Sequence, residues 1–274
     1  MLPDKSTSMK TILITGASSG LGKAIGEYLF HKGHNVFGTS RNPENVANSP
    51  FPLLALDLNK PETIVHCVDK VIEIAGRIDV LVNNAGVGIL GPLEEIPTDE
   101  LRKHFETNLF GPVEVMKAVI PHMRARGYGH IVNITSIAGY TGLPFRAAYS
   151  ASKGALELLT EAVRMEVKPF GIEVCALAPG EFATDIASRR YYTPVTSGSA
   201  YYEVYGRTID LINEQVSGGD DPIIVAHEIE RIMNSAKPDI HYKVGPFLSK
   251  FSIVLKRILP DKAYEKILMK HYKL

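Results

Sequence analysis

The chain has 274 residues, 45% of them hydrophobic and 22% charged, values of an ordinary globular protein that exclude wholesale disorder. Thirty Lys/Arg side chains balance thirty Asp/Glu, so no global charge points to nucleic acid as a partner. The balance hides an asymmetry: from Lys237 onward nine basic residues stand against three acidic, an excess of six that the rest of the chain offsets.

The two cysteines, Cys67 and Cys175, are far apart and in no redox or metal-ligand spacing. That excludes a disulfide scaffold and fits a reducing compartment. The first ten residues lack the apolar core of a signal peptide, and no apolar run approaches membrane-spanning length. A cytoplasmic location is expected. Nine histidines are scattered without an H-E-x-x-H or Cys/His cluster, so no catalytic metal is expected.

Residues 10–15 (KTILIT) form a short apolar run that ends at glycines. Residues 20–32 then read as a helix, with Leu21, Ala24, Ile25, Tyr28 and Leu29 at helical spacing and Gly33 as its C-terminal cap. Strands follow at His34–Thr39, Leu53–Leu56 and Ile78–Val82, with a helix over 60–76. The second half repeats the alternation. A long helix over about 98–126 is expected to kink at Gly111-Pro112, followed by a strand at His130–Thr135, a helix over 147–168 and a strand at Ile172–Leu177.

Continuous apolar strands separated by helices predict an α/β fold, a doubly wound parallel sheet with helices on both faces. Its ligand site belongs at the carboxyl ends of the strands. No linker or repeat divides the chain, so residues 1–274 are read as a single domain.

The first strand runs into Thr15-Gly16-Ala17-Ser18-Ser19-Gly20-Leu21-Gly22. Glycines permit a tight turn and close approach of backbone to a pyrophosphate, which the next helix meets with its free N–H groups. A glycine cluster alone is a weak signal, and its position between the first strand and the first helix strengthens it. Downstream, Tyr149 and Lys153 stand four apart at the start of a helix and share a face, with Ser136 ending the preceding strand.

In these pieces the chain resembles the short-chain dehydrogenase/reductase family. The turn, Asn83-Asn84-Ala85-Gly86 after the fourth strand, Asn108, Ser136, Tyr149-x-x-x-Lys153 and Pro179-Gly180 occur in family order over residues 11–185. The resemblance implies hydride transfer between a nicotinamide cofactor and a carbonyl or secondary alcohol, with Tyr149 as general acid/base. Ser136 would hold the substrate oxygen, Asn108 would anchor a water, and Lys153 would serve both the tyrosine and the nicotinamide ribose. Gly16, Ser18, Ser19, Gly20, Leu21 and Gly22 would hold the pyrophosphate side of the cofactor. Asp57 and Leu58 would meet the adenine, and Asn83, Ala85 and Gly86 the ribose side. Pro179, Gly180, Phe182 and Thr184 would meet the nicotinamide. Bringing a tyrosine from ~10 to ~7 takes about 4 kcal/mol, more than an exposed ion pair supplies, so the site is expected to be shielded from water.

The second strand ends in Thr39-Ser40-Arg41 with no carboxylate to accept a ribose 2′-hydroxyl. Ser40 and Arg41 suit a 2′-phosphate, so NADP is expected over NAD, although no Lys or Arg stands between Gly16 and Gly20. Tyr140, Leu143 and Phe145, together with Tyr191 in a lid over 183–221, are expected to shape an apolar pocket. The lid tyrosines equally suit packing of the lid onto the body. No arginine or carboxylate near the expected site singles out a charged substrate group. A binding protein that senses the nucleotide without chemistry is the alternative, disfavoured by the intact Asn108, Ser136, Tyr149 and Lys153.

The family resemblance also implies a homodimer or homotetramer built on the helices over 98–126 and 147–168. The extension over 246–274 carries Phe247, Phe251, Val254 or Leu255, and Ile258 at helical spacing, interleaved with lysines. That stripe either packs on the body or makes reversible contact with an anionic membrane.

Overall fold

A computed structural model describes residues 8–182 and 190–274. Seven parallel strands form the sheet: β1 (Thr11–Ile14), β2 (Asn35–Ser40), β3 (Leu53–Ala55), β4 (Val80–Asn83), β6 (Gly129–Ile134), β7 (Ile172–Pro179) and β9 (His241–Val244). Their order is β3-β2-β1-β4-β6-β7-β9. The chain therefore reverses its winding between β1 and β4, and the crevice at that point is where an open α/β sheet binds its ligand.

Alternation along each strand divides the core. Ile12, Ile14, Val80 and Val82 face α1 (Gly20–His31) and α7 (Ile223–Met233), through Ile25, Leu29, Val225 and Ile229. Leu13, Leu81 and Ile131 point the other way, onto α2 (Pro61–Ala75) and α4 (Gly111–Arg126), through Val68, Val71, Val115 and Val119. All twelve non-polar side chains named at Ile12–Leu13, Ile25, Leu29, Val71, Val80–Val82, Val115, Val119, Ile131 and Val225 are fully buried. At about 1.5–3 kcal/mol for each large one, this two-sided burial is why the strands read as unbroken apolar runs.

Three features differ from the sequence reading. The seventh strand, β9, was not expected, because His241-Tyr-Lys-Val alternates buried and half-buried positions instead of forming an apolar run. The helix over 98–126 is α3 (Thr98–Phe105) and α4 joined by a π-turn at Glu106–Phe110, immediately before the expected kink. Pro112 has no N–H for the carbonyl four residues back, that of Asn108, so the regular ladder fails there. Finally, a two-stranded parallel ribbon joins β5 (Ile89–Leu90) to β8 (Tyr191–Tyr192), outside the main sheet.

After β8 come α6 (Tyr202–Ser217), α7 and β9, then the C-terminal pair α8 (Phe247–Ile258) and α9 (Asp261–Tyr272). Among the described residues no helix is long and apolar enough to cross a membrane.

Candidate active site

A cavity of about 1030 Å³ opens along the carboxyl ends of the strands. One end is built by the turn after β1. Gly16 (φ +67°) and Gly20 (φ +55°) are left-handed, a conformation other residues rarely adopt, and they line the cavity with Ser18, Ser19 and Leu21. Gly22 does not line it. A Cβ there would sit 2.3 Å from the Gly16 carbonyl oxygen and 2.4 Å from Asn84 Nδ2, so this glycine lets α1 close onto the turn.

Asn84 rather than Asn83 stands at the cavity. Its Nδ2 donates to the carbonyls of Thr15 (2.9 Å) and Gly16 (3.2 Å), which fixes the turn. The Asn83 side chain points into the protein and donates to Asn133 Oδ1 at 2.9 Å, because strand alternation turns it away from the crevice. Ala85 and Gly86 follow at the wall, as do Ser40, Arg41, Asp57, Leu58, Pro179, Gly180 and Phe182. Arg41 is exposed at the rim beside Asn42 and Asn45. Thr184 lies outside the described residues.

The chemical end is carried by α5 (Ala147–Val167), whose first turns present Tyr149 and Lys153 to the cavity opposite Ser136. Lys153 is 5% exposed, and its Nζ donates to the Ile134 carbonyl at 2.9 Å. Burial pulls its pKa down to about 8, opposed by the charge of Glu157. The expected lowering of the Tyr149 pKa is not found in the protein alone. Burial raises it above the ordinary phenol value, outweighing the Ser136 hydrogen bond and the guanidiniums of Arg146 and Arg190. The phenol is therefore protonated at neutral pH, the state a proton donor requires.

Asn108 sits in the π-turn, fully buried. Its Oδ1 accepts from Val87 N and its Nδ2 donates to Val87 O, both at 2.8 Å, so the amide orientation is fixed. Nδ2 also meets His104 Nε2 at 3.2 Å, which makes that nitrogen an acceptor. Burial and the Lys153 charge hold His104 at a pKa of about 4, hence neutral.

These elements match a family model. The model of the short chain dehydrogenases covers residues 10–193. The chain is a short-chain dehydrogenase/reductase. It is 38% identical over 263 residues to the 3-ketodihydrosphingosine reductase of Bacteroides thetaiotaomicron, spanning 95% of this chain and 97% of that one. It is also 30% identical over 279 residues to the NADPH-dependent 3-dehydrocapnine reductase of Ornithobacterium rhinotracheale, spanning 97% and 98%. A solved short-chain dehydrogenase from Streptomyces avermitilis superposes with a TM-score of 0.82 at 33% identity, with 97% of each chain covered.

The residues present suit the nucleotide such dehydrogenase/reductases use. A Cβ on Gly86 would lie 3.2 Å from Asn108 Oδ1 and 3.5 Å from Lys153 Nζ, so glycine keeps the space before the lysine open. The left-handed glycines and the start of α1 supply backbone donors for a pyrophosphate.

Three side chains expected at the substrate lie elsewhere in this short-chain dehydrogenase/reductase. Tyr140 donates to Glu157 Oε2 at 3.0 Å and is not in the cavity wall. Phe145 packs on Tyr205, ring centroids 5.1 Å apart, and Tyr191 packs among Ile89, Ile96 and Ala148. Apolar packing of β8 and α6 against the body claims both rings. The packing alternative thus holds for Tyr205, which is 1% exposed and donates to the Leu90 carbonyl. Leu143 does line the cavity.

Four residues escaped the sequence reading. His104 lies one helical turn before Asn108. Glu157 continues the four-residue spacing of Tyr149 and Lys153; it is buried and accepts from Thr135, Tyr140 and, at 2.8 Å, His241. Spacing could have found both. Arg146 and Arg190 line the cavity, contrary to the expectation that no arginine stands near the site.

Proposed function

We propose that this protein is an NADP(H)-dependent oxidoreductase that reduces the carbonyl of a substrate with a long apolar chain, with Tyr149 as proton donor. One observation carries the reading: Ser136, Tyr149 and Lys153 line the same cavity as the glycine turn. When bound, the nicotinamide supplies the hydride. Ser136 Oγ holds the substrate oxygen toward the phenol, and Tyr149 gives that oxygen its proton. Lys153, buried one helical turn beyond Tyr149 in the same cavity, stabilises negative charge left on the phenol and reaches the ribose. Asn108, clamped by Val87, orders the polar path behind the lysine. The non-catalytic alternative would need none of these groups kept together.

Leu248, Phe251, Leu255, Ile267 and Leu268 extend the cavity with apolar surface. Two near-full-length relatives are named reductases of 3-keto or 3-dehydro compounds, which supports a ketone as substrate. Oxidation of NADPH across long- and short-chain ketones, repeated with NADH, tests the reading. Turnover of a long-chain ketone is expected, and absence of any turnover despite tight NADPH binding would leave the sensing alternative.

NADP preference rests on Arg41 and Ser40 and on the lack of a carboxylate at the end of β2. One relative is named NADPH-dependent, in support. Arg41→Ala weakens NADPH by about tenfold to a hundredfold, the worth of one charge-assisted contact, and leaves NADH unchanged. Titration of nicotinamide fluorescence measures both, and equal weakening would exclude a role in reading the 2′-phosphate.

The protein works as a cytoplasmic homo-oligomer, a reading supported by its two free buried cysteines and by Leu158 and Met165, exposed on α5. The expected row of Leu156, Leu159, Val163 and Val167 packs inward: Leu156 and Val167 are buried and the other two lie against the core. The C-terminal helices make reversible contact with anionic membrane. Phe247 (72% exposed), Leu248 (77%) and Ile258 (68%) face solvent among Lys256, Arg257, Lys262 and Lys266. Leu248 and Phe251 are both exposed and part of the cavity wall, so the cavity opens beside this face. Cosedimentation with phosphatidylglycerol vesicles is expected at low salt and is lost at high salt. Salt-independent binding, or none, contradicts it.

A further inference from the structure

The cavity wall beside Tyr149 carries positive charge that the reduction itself leaves unexplained. Arg146 stands three residues before Tyr149, directly after Phe145, a non-glycine residue in the left-handed region (φ +57°). The Phe145 carbonyl accepts from Gly91 N at 2.9 Å, and the Arg146 N–H donates to Leu143 O at 3.1 Å, so this backbone is held where it aims the guanidinium inward. Arg190 arrives from the other side. Its neighbour Tyr191 donates from its N–H to Gly88 O at 3.0 Å, pairing β8 with β5 just past the Val87 that clamps Asn108. A Cβ on Gly88 would fall 2.8 Å from Arg190 Cβ, so the glycine admits the arginine.

Among the described residues neither guanidinium has an ion-pair partner, whereas the buried Arg164 pairs with Glu173 at 2.8 Å. Arg146 leans on Tyr272, hydrogen-bonding its hydroxyl and lying 5.8 Å from its ring centroid, yet Arg146 Nε is buried with no hydrogen-bond partner. Arg190 lies 5.7 Å from the ring centroid of Tyr192. Aromatic rings hold a guanidinium in place without neutralising it. Glu181, a carboxylate in the same wall, accepts from Ser249 Oγ at 2.7 Å. Two cations with unspent donors in a partly enclosed wall are a receptor for a planar or tetrahedral anion.

We propose that Arg146 and Arg190 form an anion subsite that binds a sulfonate, phosphate or carboxylate group carried by the substrate near the carbonyl presented to Tyr149. The substrate is then an amphiphile, its charged end fixed at the two arginines and its chain running along Leu248, Phe251 and Leu255. This deepens the reductase reading and rests on it for the position of the carbonyl. It also makes the pair a filter, since a substrate with a cationic group at this end is repelled.

Calorimetric titration of the full-length protein with octanesulfonate, octanol and octyltrimethylammonium tests the subsite without turnover, so it can fail while the reductase reading stands. Octanesulfonate is expected to bind about tenfold to a hundredfold more tightly than the other two. Arg190→Gln removes that advantage and leaves octanol binding unchanged, with thermal unfolding checking that the variant is folded. Arg146→Gln is the second variant and should act in the same direction. Binding of all three probes within about threefold overturns the proposal, as does a sulfonate preference that survives Arg190→Gln, which would belong to the basic C-terminal helices. With the reductase assayed separately, loss of carbonyl reduction alongside an intact sulfonate preference would count against the catalytic assignment and not against the subsite.

Discussion

Tyr149→Phe lowers kcat by about 10²–10⁴-fold, the range expected when a positioned general acid loses its proton, while NADPH affinity and thermal stability stay close to those of the parent. The substitution removes one hydroxyl from a half-buried ring, and the ring still packs against Ile89 and Ile96. Burial already keeps the phenol protonated at neutral pH, so reduction needs no prior ionisation of this residue. Pre-steady-state turnover with saturating NADPH reads the loss directly. A variant that keeps more than about a tenth of the parent rate places the proton donor elsewhere.

Lys153→Met gains stability and loses activity. Burial drops the lysine from 10.5 to about 8, so the folded protein binds this proton less tightly than the unfolded chain does. The penalty is present in full below pH 8, shrinks as pH rises, and vanishes above 10.5. A shift of this size corresponds to about 3 kcal/mol, from which the lost hydrogen bond to the Ile134 carbonyl subtracts about 1 kcal/mol. The methionine variant is therefore about 2 kcal/mol more stable at pH 7, and its advantage shrinks toward pH 10. Activity falls by at least about a hundredfold, since the lysine charge proposed to support the phenol is gone. Urea unfolding at both pH values measures the first effect. A variant less stable at pH 7, or one whose advantage grows with pH, would mean that the lysine charge is not the strained group.

The amino-acid sequence by itself determined six of the strands and the parallel sheet, and it singled out the four side chains proposed for catalysis, Asn108, Ser136, Tyr149 and Lys153. Strands buried on both faces must be apolar throughout, and the Tyr149–Lys153 pair is a local, one-turn relation on α5. The glycine turn was legible for the same reason: Gly16 and Gly20 are demanded by backbone conformation, which depends on nearest neighbours. Even so, locality misled at Asn83, where the pleat of β4 turns the side chain toward Asn133 and leaves Asn84 at the cavity. Only the tertiary structure brought Arg146 and Arg190, 44 positions apart in the chain, into one wall, because a two-residue ribbon between β5 and β8 carries the second to the first. It also buried Tyr205 between α6 and the body, and it turned Glu157 inward, away from solvent. Local spacing fixes which residues can share a face; which faces meet is decided by crossovers and packing that join distant segments.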